Sequence, residues 1–243
     1  MQVLEEVYRV EDAVQWIIPY LEDSRRSAHK AIYFDGFDGL AASAVLRAIA
    51  EHPPPSLMNK FDKIIHIDCS RWKSRRTLQR VIADELKLPH SVMAAFGTED
   101  DEDDYSGVDE GSRAEIGEVG KVILRSLLQY RCLVVFHNGS TDMVDLVDFG
   151  IPPLYYGSKM LWTFTGRLRV NPEIKEKVGS SHLNIYRNIF WSFHPPNNDT
   201  AQLILEEAIE VACQAHATEA EHQPRNSCQV YHICLVVAWN GWQ

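Results

Sequence analysis

The chain has 243 residues, and 34 acidic against 24 basic side chains give it a net charge of −10. That balance speaks against a dedicated nucleic-acid binder, whose phosphate contacts need a positive face. A hydrophobic share of 45% suits one sizeable core, and no apolar run approaches the roughly 20 residues that span a bilayer.

The first residues, "MQVLEEVYRVEDAVQWI", carry acids and lack the apolar centre of a secretion signal, so the expected location is cytoplasmic, with no membrane contact. Five cysteines, Cys69, Cys132, Cys213, Cys228 and Cys234, are scattered without zinc spacing, and the first two sit in apolar strand-like runs as buried thiols would. The ten histidines are dispersed, and no metal site is expected.

Taken in order, the chain begins with an amphipathic helix from Val10 to Glu22, whose apolar face is Val10, Val14, Ile17, Ile18 and Leu21. Four strands are expected at Lys30–Gly36, Lys63–Cys69, Cys132–Asn138 and Lys159–Thr165, each bounded by polar or turn residues. Three helices lie between them. Their apolar faces read Leu40, Val45, Leu46 and Ile49, then Leu78, Val81, Ile82 and Leu86, then Ile116, Val119, Ile123 and Leu127. Glu51–Asp62 reads as a proline-rich connector. Thr98–Ser112, "TEDDEDDYSGVDEGS", reads as a solvated acidic loop, because like charges repel and resist burial. A further helix is expected over Ala201–Ala215, then a tail of changed character. Strands alternating with helices predict a parallel sheet with its binding loops at the strands' carboxyl ends.

The first strand, turn and helix have the layout of a phosphate loop, G-x-x-x-x-G-K-[ST], in which backbone amides cradle phosphate and a lysine pairs with its oxygens. Gly36, Phe37, Asp38, Gly39, Leu40, Ala41, Ala42 and Ser43 fill the eight places. The first glycine and the hydroxyl remain, whereas Ala41 replaces the second glycine and Ala42 the lysine.

Further blocks extend the pattern. "FDKIIHIDCSRWKSRRTLQRVIADELKLP", "YRCLVVFHNGSTDMVDLVDFGIP", "GSKMLWTFTGR" and "HLNIYRNIFWSFHPP" follow in order. From about Arg9 to Ala215 the chain resembles an NB-ARC domain, the nucleotide-binding switch module of plant disease-resistance proteins with leucine-rich repeats. The resemblance implies an α/β fold, a P-loop NTPase-like parallel sheet flanked by helices. It divides the chain into a helical lead-in over 1–29, a degenerate nucleotide-binding fold over 30–215 and a tail over 216–243 that is in part disordered.

In that family two aspartates end the third strand and support magnesium; His137 and Asn138 stand at those positions. The arginine that senses the terminal phosphate corresponds to Thr165, with Arg167 nearby but out of register. Losing the lysine and the arginine removes two charge-assisted contacts worth about 1.5–3 kcal/mol each, which weakens triphosphate binding by about 10²–10⁴-fold. Asp38 adds a carboxylate to the loop, and no acid remains to assist metal-dependent hydrolysis. The implied protein is no enzyme, has no certain cofactor, and binds ADP weakly at most. The family's glycine-leucine-proline block and leucine-rich repeats have no counterpart after Ala215, so the resemblance is to a truncated member without the helical and winged-helix subdomains. It implies a signalling or interaction role with a protein partner in plant defence, or a receptor fragment.

Two other readings remain. "FDGFDGLAASAVL" is slightly similar to the first motif of DHH-type metal-dependent phosphoesterases, but one aspartate is missing and no Asp-His-His triplet exists. A ligand-free α/β interaction domain is the other.

Overall fold

Runs rich in β-branched and aromatic residues form the strands: β1 (Ala31–Phe37), β2 (Lys63–Asp68), β3 (Cys132–Asn138), β4 (Lys159–Phe164) and β5 (Asn184–Asn188). In this computed structural model, residues 10–25, 28, 30–37, 41–69, 72–139, 141–152, 157–180, 184–188 and 205–213 are described. The five strands make one sheet in the order β2-β3-β4-β1-β5, and every neighbouring pair is parallel. The expected class is what the fold has: an α/β, P-loop NTPase-like parallel sheet flanked by helices.

Parallel strands are covered on both faces and so read as continuous apolar runs. The central β3, "CLVVFHN", is buried at all seven positions. Alternate residues then serve opposite cores. Ile32, Phe34, Leu133, Val135 and Leu161 point to one face, against α1 (Val10–Glu22), α2 (Ala42–Glu51) and α3 (Pro55–Lys60). Tyr33, Ile65, Ile67, Val134, Phe136, Trp162 and Phe164 belong to the other. That face is covered by α4 (Arg75–Glu85), α5 (His90–Ser106), α6 (Gly117–Leu127), α7 (Gly166–Val170) and α8 (Pro172–Ser180). The chain travels from β1 to the β2 edge over the first face and returns over the second. Right-handed crossovers demand that alternation.

The first helix matches its expected span and face, with Ala13 added to the buried set. Lysines anchor its end: Lys159 Nζ of β4 donates to the Tyr20 carbonyl and Lys60 Nζ of α3 to the Glu22 carbonyl. Burial lowers Lys159 to about 8.

Two expectations need correction. The proline connector contains α3, because Pro54 is its N-cap and Pro55 opens its first turn, where a missing N–H costs nothing. Leu57 buries that turn against α1 and α2. The acidic loop is helical over its first nine residues, 98–106, which form the second half of the 17-residue α5, and Glu110–Ser112 form a short 3-10 turn beyond it. Its acids are not left to repel one another, because arginines from elsewhere pair with them. Arg76 reaches Asp100 and Asp103, Arg80 meets Asp100 at 2.6 Å, and Arg113 binds Asp104. Phe96 is the one fully buried residue of this helix, and Val92, Met93 and Ala95 pack partly buried beside it in the first half, so no apolar stripe runs through the acidic half. Gly107, at φ 73°, ends it in the left-handed conformation.

Smaller differences follow the same logic. Val81 is exposed, because the inner row of α4 runs through Leu78, Gln79, Ile82 and Ala83. Gln79 earns its buried place by bonding both backbone groups of Ile116, the residue that caps α6. Cys69 and Cys132 are buried thiols, as expected. The helix expected over Ala201–Ala215 is described over 205–213. Leu40, Trp191, Phe193 and the tail from Thr218 lie outside the described residues. Among the described residues, no helix is long and apolar enough to cross a membrane.

Candidate functional site

Strands β1 and β4 are neighbours, yet the chain leaves β1 toward one face (α2) and β4 toward the other (α7). Adjacent strands that part in this way open a crevice at their carboxyl ends, the general ligand site of open α/β sheets. The described ends of the expected phosphate loop, residues 36–37 and 41–43, lie there.

Within it, Gly36 is buried with φ 69°, where the pairing of β1 with β5 shifts register. Phe37 ends the strand, and Asp38, Gly39 and Leu40 lie outside the described residues. Ala41 caps α2 at φ 60° and ψ 5°, a left-handed conformation that costs a residue with a Cβ about 1–2 kcal/mol. The position of the family's second glycine thus keeps a glycine's backbone. Ala42, in the place of the lysine, is fully buried in the core beneath α2. The first turn of α2 (Ala42, Ser43, Ala44, Val45) carries one hydroxyl and no cationic side chain, and its Val45 amide already donates to the Ala41 carbonyl at 3.1 Å.

A charge does reach this place, from two residues that the sequence reading did not single out. Arg169 of α7 and Glu207 of the 205–213 helix form a buried ion pair. Arg169 is fixed from three sides: Nε donates to the Phe164 carbonyl at 3.1 Å, Nη2 to Thr163 Oγ1 at 3.1 Å, and Nη1 to Glu207. Burial pushes the Glu207 carboxyl up, while Arg169 and then the amide and hydroxyl of Ser43 pull it back. A carboxylate therefore faces the amino end of α2, where the positive end of the helix and its free N–H groups favour an anion. Its Oε2 atom has no hydrogen-bond partner. Beside this pair, the Tyr33 hydroxyl donates to Asp35 Oδ1 at 2.9 Å.

Thr165 and Asn138 are bound to each other. The Thr165 hydroxyl donates to the carbonyls of Asn138 (2.8 Å) and Gly139 (3.0 Å), and Asn138 Oδ1 accepts from the amides of Gly139 and Val144. Both side chains hold the β3 and β4 loops together. Arg167 sits in the first turn of α7, and the arginine that enters the crevice is Arg169, two residues on.

His137 turns the other way, toward α2. It is fully buried, its Nε2 lies 3.3 Å from the Ser43 carbonyl, and its Nδ1 lies 3.1 Å from His66 Nε2. Asp68 is its register partner on β2 and sits 3.6 Å from the Arg47 guanidinium. Donor atoms of His66, Asp68 and His137 all fall within 4.8 Å of one another. Burial pushes His137 down to about 4 and lowers His66 as well, so both rings are neutral at pH 7. The motif comparison directed attention to His137 alone. The H-x-D spacing in "KIIHIDC" was the available signal for its partners, since alternate strand residues share a face.

The crevice thus carries an anion position filled by the chain's own carboxylate, with a histidine–aspartate cluster behind it on β2 and β3. No model of a known protein family matches the chain, and no curated protein matches it.

Proposed function

We propose that the chain is a degenerate nucleotide-binding module of the NB-ARC type, which does not hydrolyse ATP, holds ADP weakly at most and acts by binding a protein partner. One observation carries the reading: Glu207, paired with Arg169, faces the amide and hydroxyl of Ser43 at the start of α2, where a phosphate-binding protein would hold its ligand. A nucleotide must displace that carboxylate and then meet Ala42 in place of a lysine. The strand order and the left-handed backbone at Ala41 support descent from a phosphate loop. His137 and Asn138 at the end of β3 supply no carboxylate to hold magnesium. The resemblance to disease-resistance proteins points to defence signalling as the setting for that partner.

Calorimetric titration with ATP and with ADP, each with and without magnesium, tests this reading alongside a phosphate-release assay. The expected outcome is no turnover, no resolved heat with ATP, and ADP binding no tighter than about 100 μM, or about −5.5 kcal/mol. Micromolar ATP affinity with magnesium-dependent phosphate release would overturn it.

A further inference from the structure

We propose that His66, Asp68 and His137 bind a divalent transition metal of the zinc class between the carboxyl ends of β2 and β3.

The donor spacing is the first reason. Two nitrogens on a tetrahedral zinc, each about 2.0–2.1 Å from the ion, stand about 3.3 Å apart. His66 Nε2 and His137 Nδ1 are 3.1 Å apart, which places two ligand atoms at nearly that separation. The Asp68 carboxylate lies within 4.8 Å of both, on the same face of the sheet and in register with His137. A side-chain adjustment brings it into the coordination sphere.

The second reason is the hydrogen bond on the far side of His137. Its Nε2–H donates to the Ser43 carbonyl at 3.3 Å, which fixes the tautomer with a lone pair on Nδ1; that lone pair accepts from His66 Nε2–H, and a metal takes the place of this proton as the His66 hydrogen moves to its Nδ1. Metal-ligating histidines are held in this way by a carbonyl or carboxylate behind them. The donor chemistry also selects the ion. Two imidazoles and one carboxylate suit zinc and its neighbours, whereas magnesium prefers an all-oxygen shell. Three protein ligands leave a fourth position for water or an incoming anion. Arg47, 3.6 Å from Asp68, is one competitor a metal must displace.

The test is titration of the metal-stripped full chain with Co²⁺ and Zn²⁺. The result expected is one equivalent of Co²⁺ bound with the visible absorption of a tetrahedral site, displaced by Zn²⁺ and unaffected by Mg²⁺. His66→Gln and Asp68→Asn should each weaken Zn²⁺ binding at least tenfold while keeping the circular dichroism of the parent. Arg47→Met should tighten it severalfold, an outcome that misfolding cannot imitate. No stoichiometric uptake, uptake undiminished in His66→Gln and Asp68→Asn, or no gain in Arg47→Met would each overturn the proposal.

Discussion

Two arginine–carboxylate clusters lie on this molecule, and they differ in how much water they see. Between α4 and α5, Arg80 meets Asp100 at the rim with its side chain 41% exposed and Arg113 meets the exposed Asp104, while the Arg113 and Arg76 side chains themselves are 14% and 7% exposed. At the crevice, Arg169 is 2% exposed and Glu207 9%. The rim pairs are screened and cost side-chain entropy, so each contributes little. Their work is to let a strongly acidic helix lie against the protein. The crevice pair has lost its water altogether, and removing either partner strands a charge in a medium that cannot solvate it. Chemistry of one kind therefore governs surface packing in one region and ligand access in the other.

Breaking the buried pair should have the largest effect. Glu207→Ala takes the buried carboxylate away from Arg169 and is expected to cost about 3–5 kcal/mol in chemical denaturation, with Glu207→Ala/Arg169→Met recovering much of the loss. Because the vacated position faces the amides of α2, inorganic phosphate should raise the melting temperature of Glu207→Ala and leave the parent unchanged. Equal response in both proteins would remove the distinction between the two clusters.

Acid should act next, through the histidine behind the crevice. Burial is the main cause that holds His137 at about 4, against its ordinary 6.5; His66 and Arg47 reinforce it, while Asp68 and the Ser43 carbonyl oppose it. The unfolded chain thus binds more protons throughout that window, so stability is full above pH 6.5 and falls as pH drops toward 4. The loss reaches about 3 kcal/mol at about 1.4 kcal/mol per pH unit. Denaturation curves at pH 7 and pH 4.5 measure it, and His137→Gln should flatten the difference.

The rim cluster should yield the smallest effects. Arg76→Ala removes bonds to the Ala114 carbonyl, Asp100 and Asp103 and is expected to cost about 1–3 kcal/mol. Arg80→Ala, with a side chain 41% exposed, should cost under about 1 kcal/mol and vanish in high salt. Matching costs at both positions would mean that burial does not separate them.

These contrasts also explain what could be read from the residues. The first four strands were legible within a residue at each end, because each holds an apolar run bounded by polar or turn residues, whereas β5, "NIYRN", is polar at three of five positions and was not expected as a strand. The first helix was legible because its face repeats at helical spacing. The two corrected segments were hidden for separate reasons. Prolines at the start of α3 look like breakers until they are seen to occupy the cap and first turn. The acids of α5 look unfoldable until Arg76, Arg80 and Arg113 are found beside them, and a local pattern does not carry that pairing.

The site was legible where a motif fixed a position and hidden where partners came from afar. The loop motif set Gly36 to Ser43 after the first strand, and the resemblance set His137 and Asn138 at the end of the third. Arg169 and Glu207 are 38 residues apart in the chain, and His66 is 71 residues from His137. Only the parallel register of β2 with β3 brings the histidines together.

The most direct test of the account is a calorimetric titration of ADP into the parent chain and into Glu207→Gln, which keeps the side chain's size while removing its charge. The account predicts binding no tighter than about 100 μM for the parent and a gain of about tenfold or more in the variant, as Arg169 and the α2 amides become available to phosphate. Tight binding by the parent, unchanged in the variant, would contradict it.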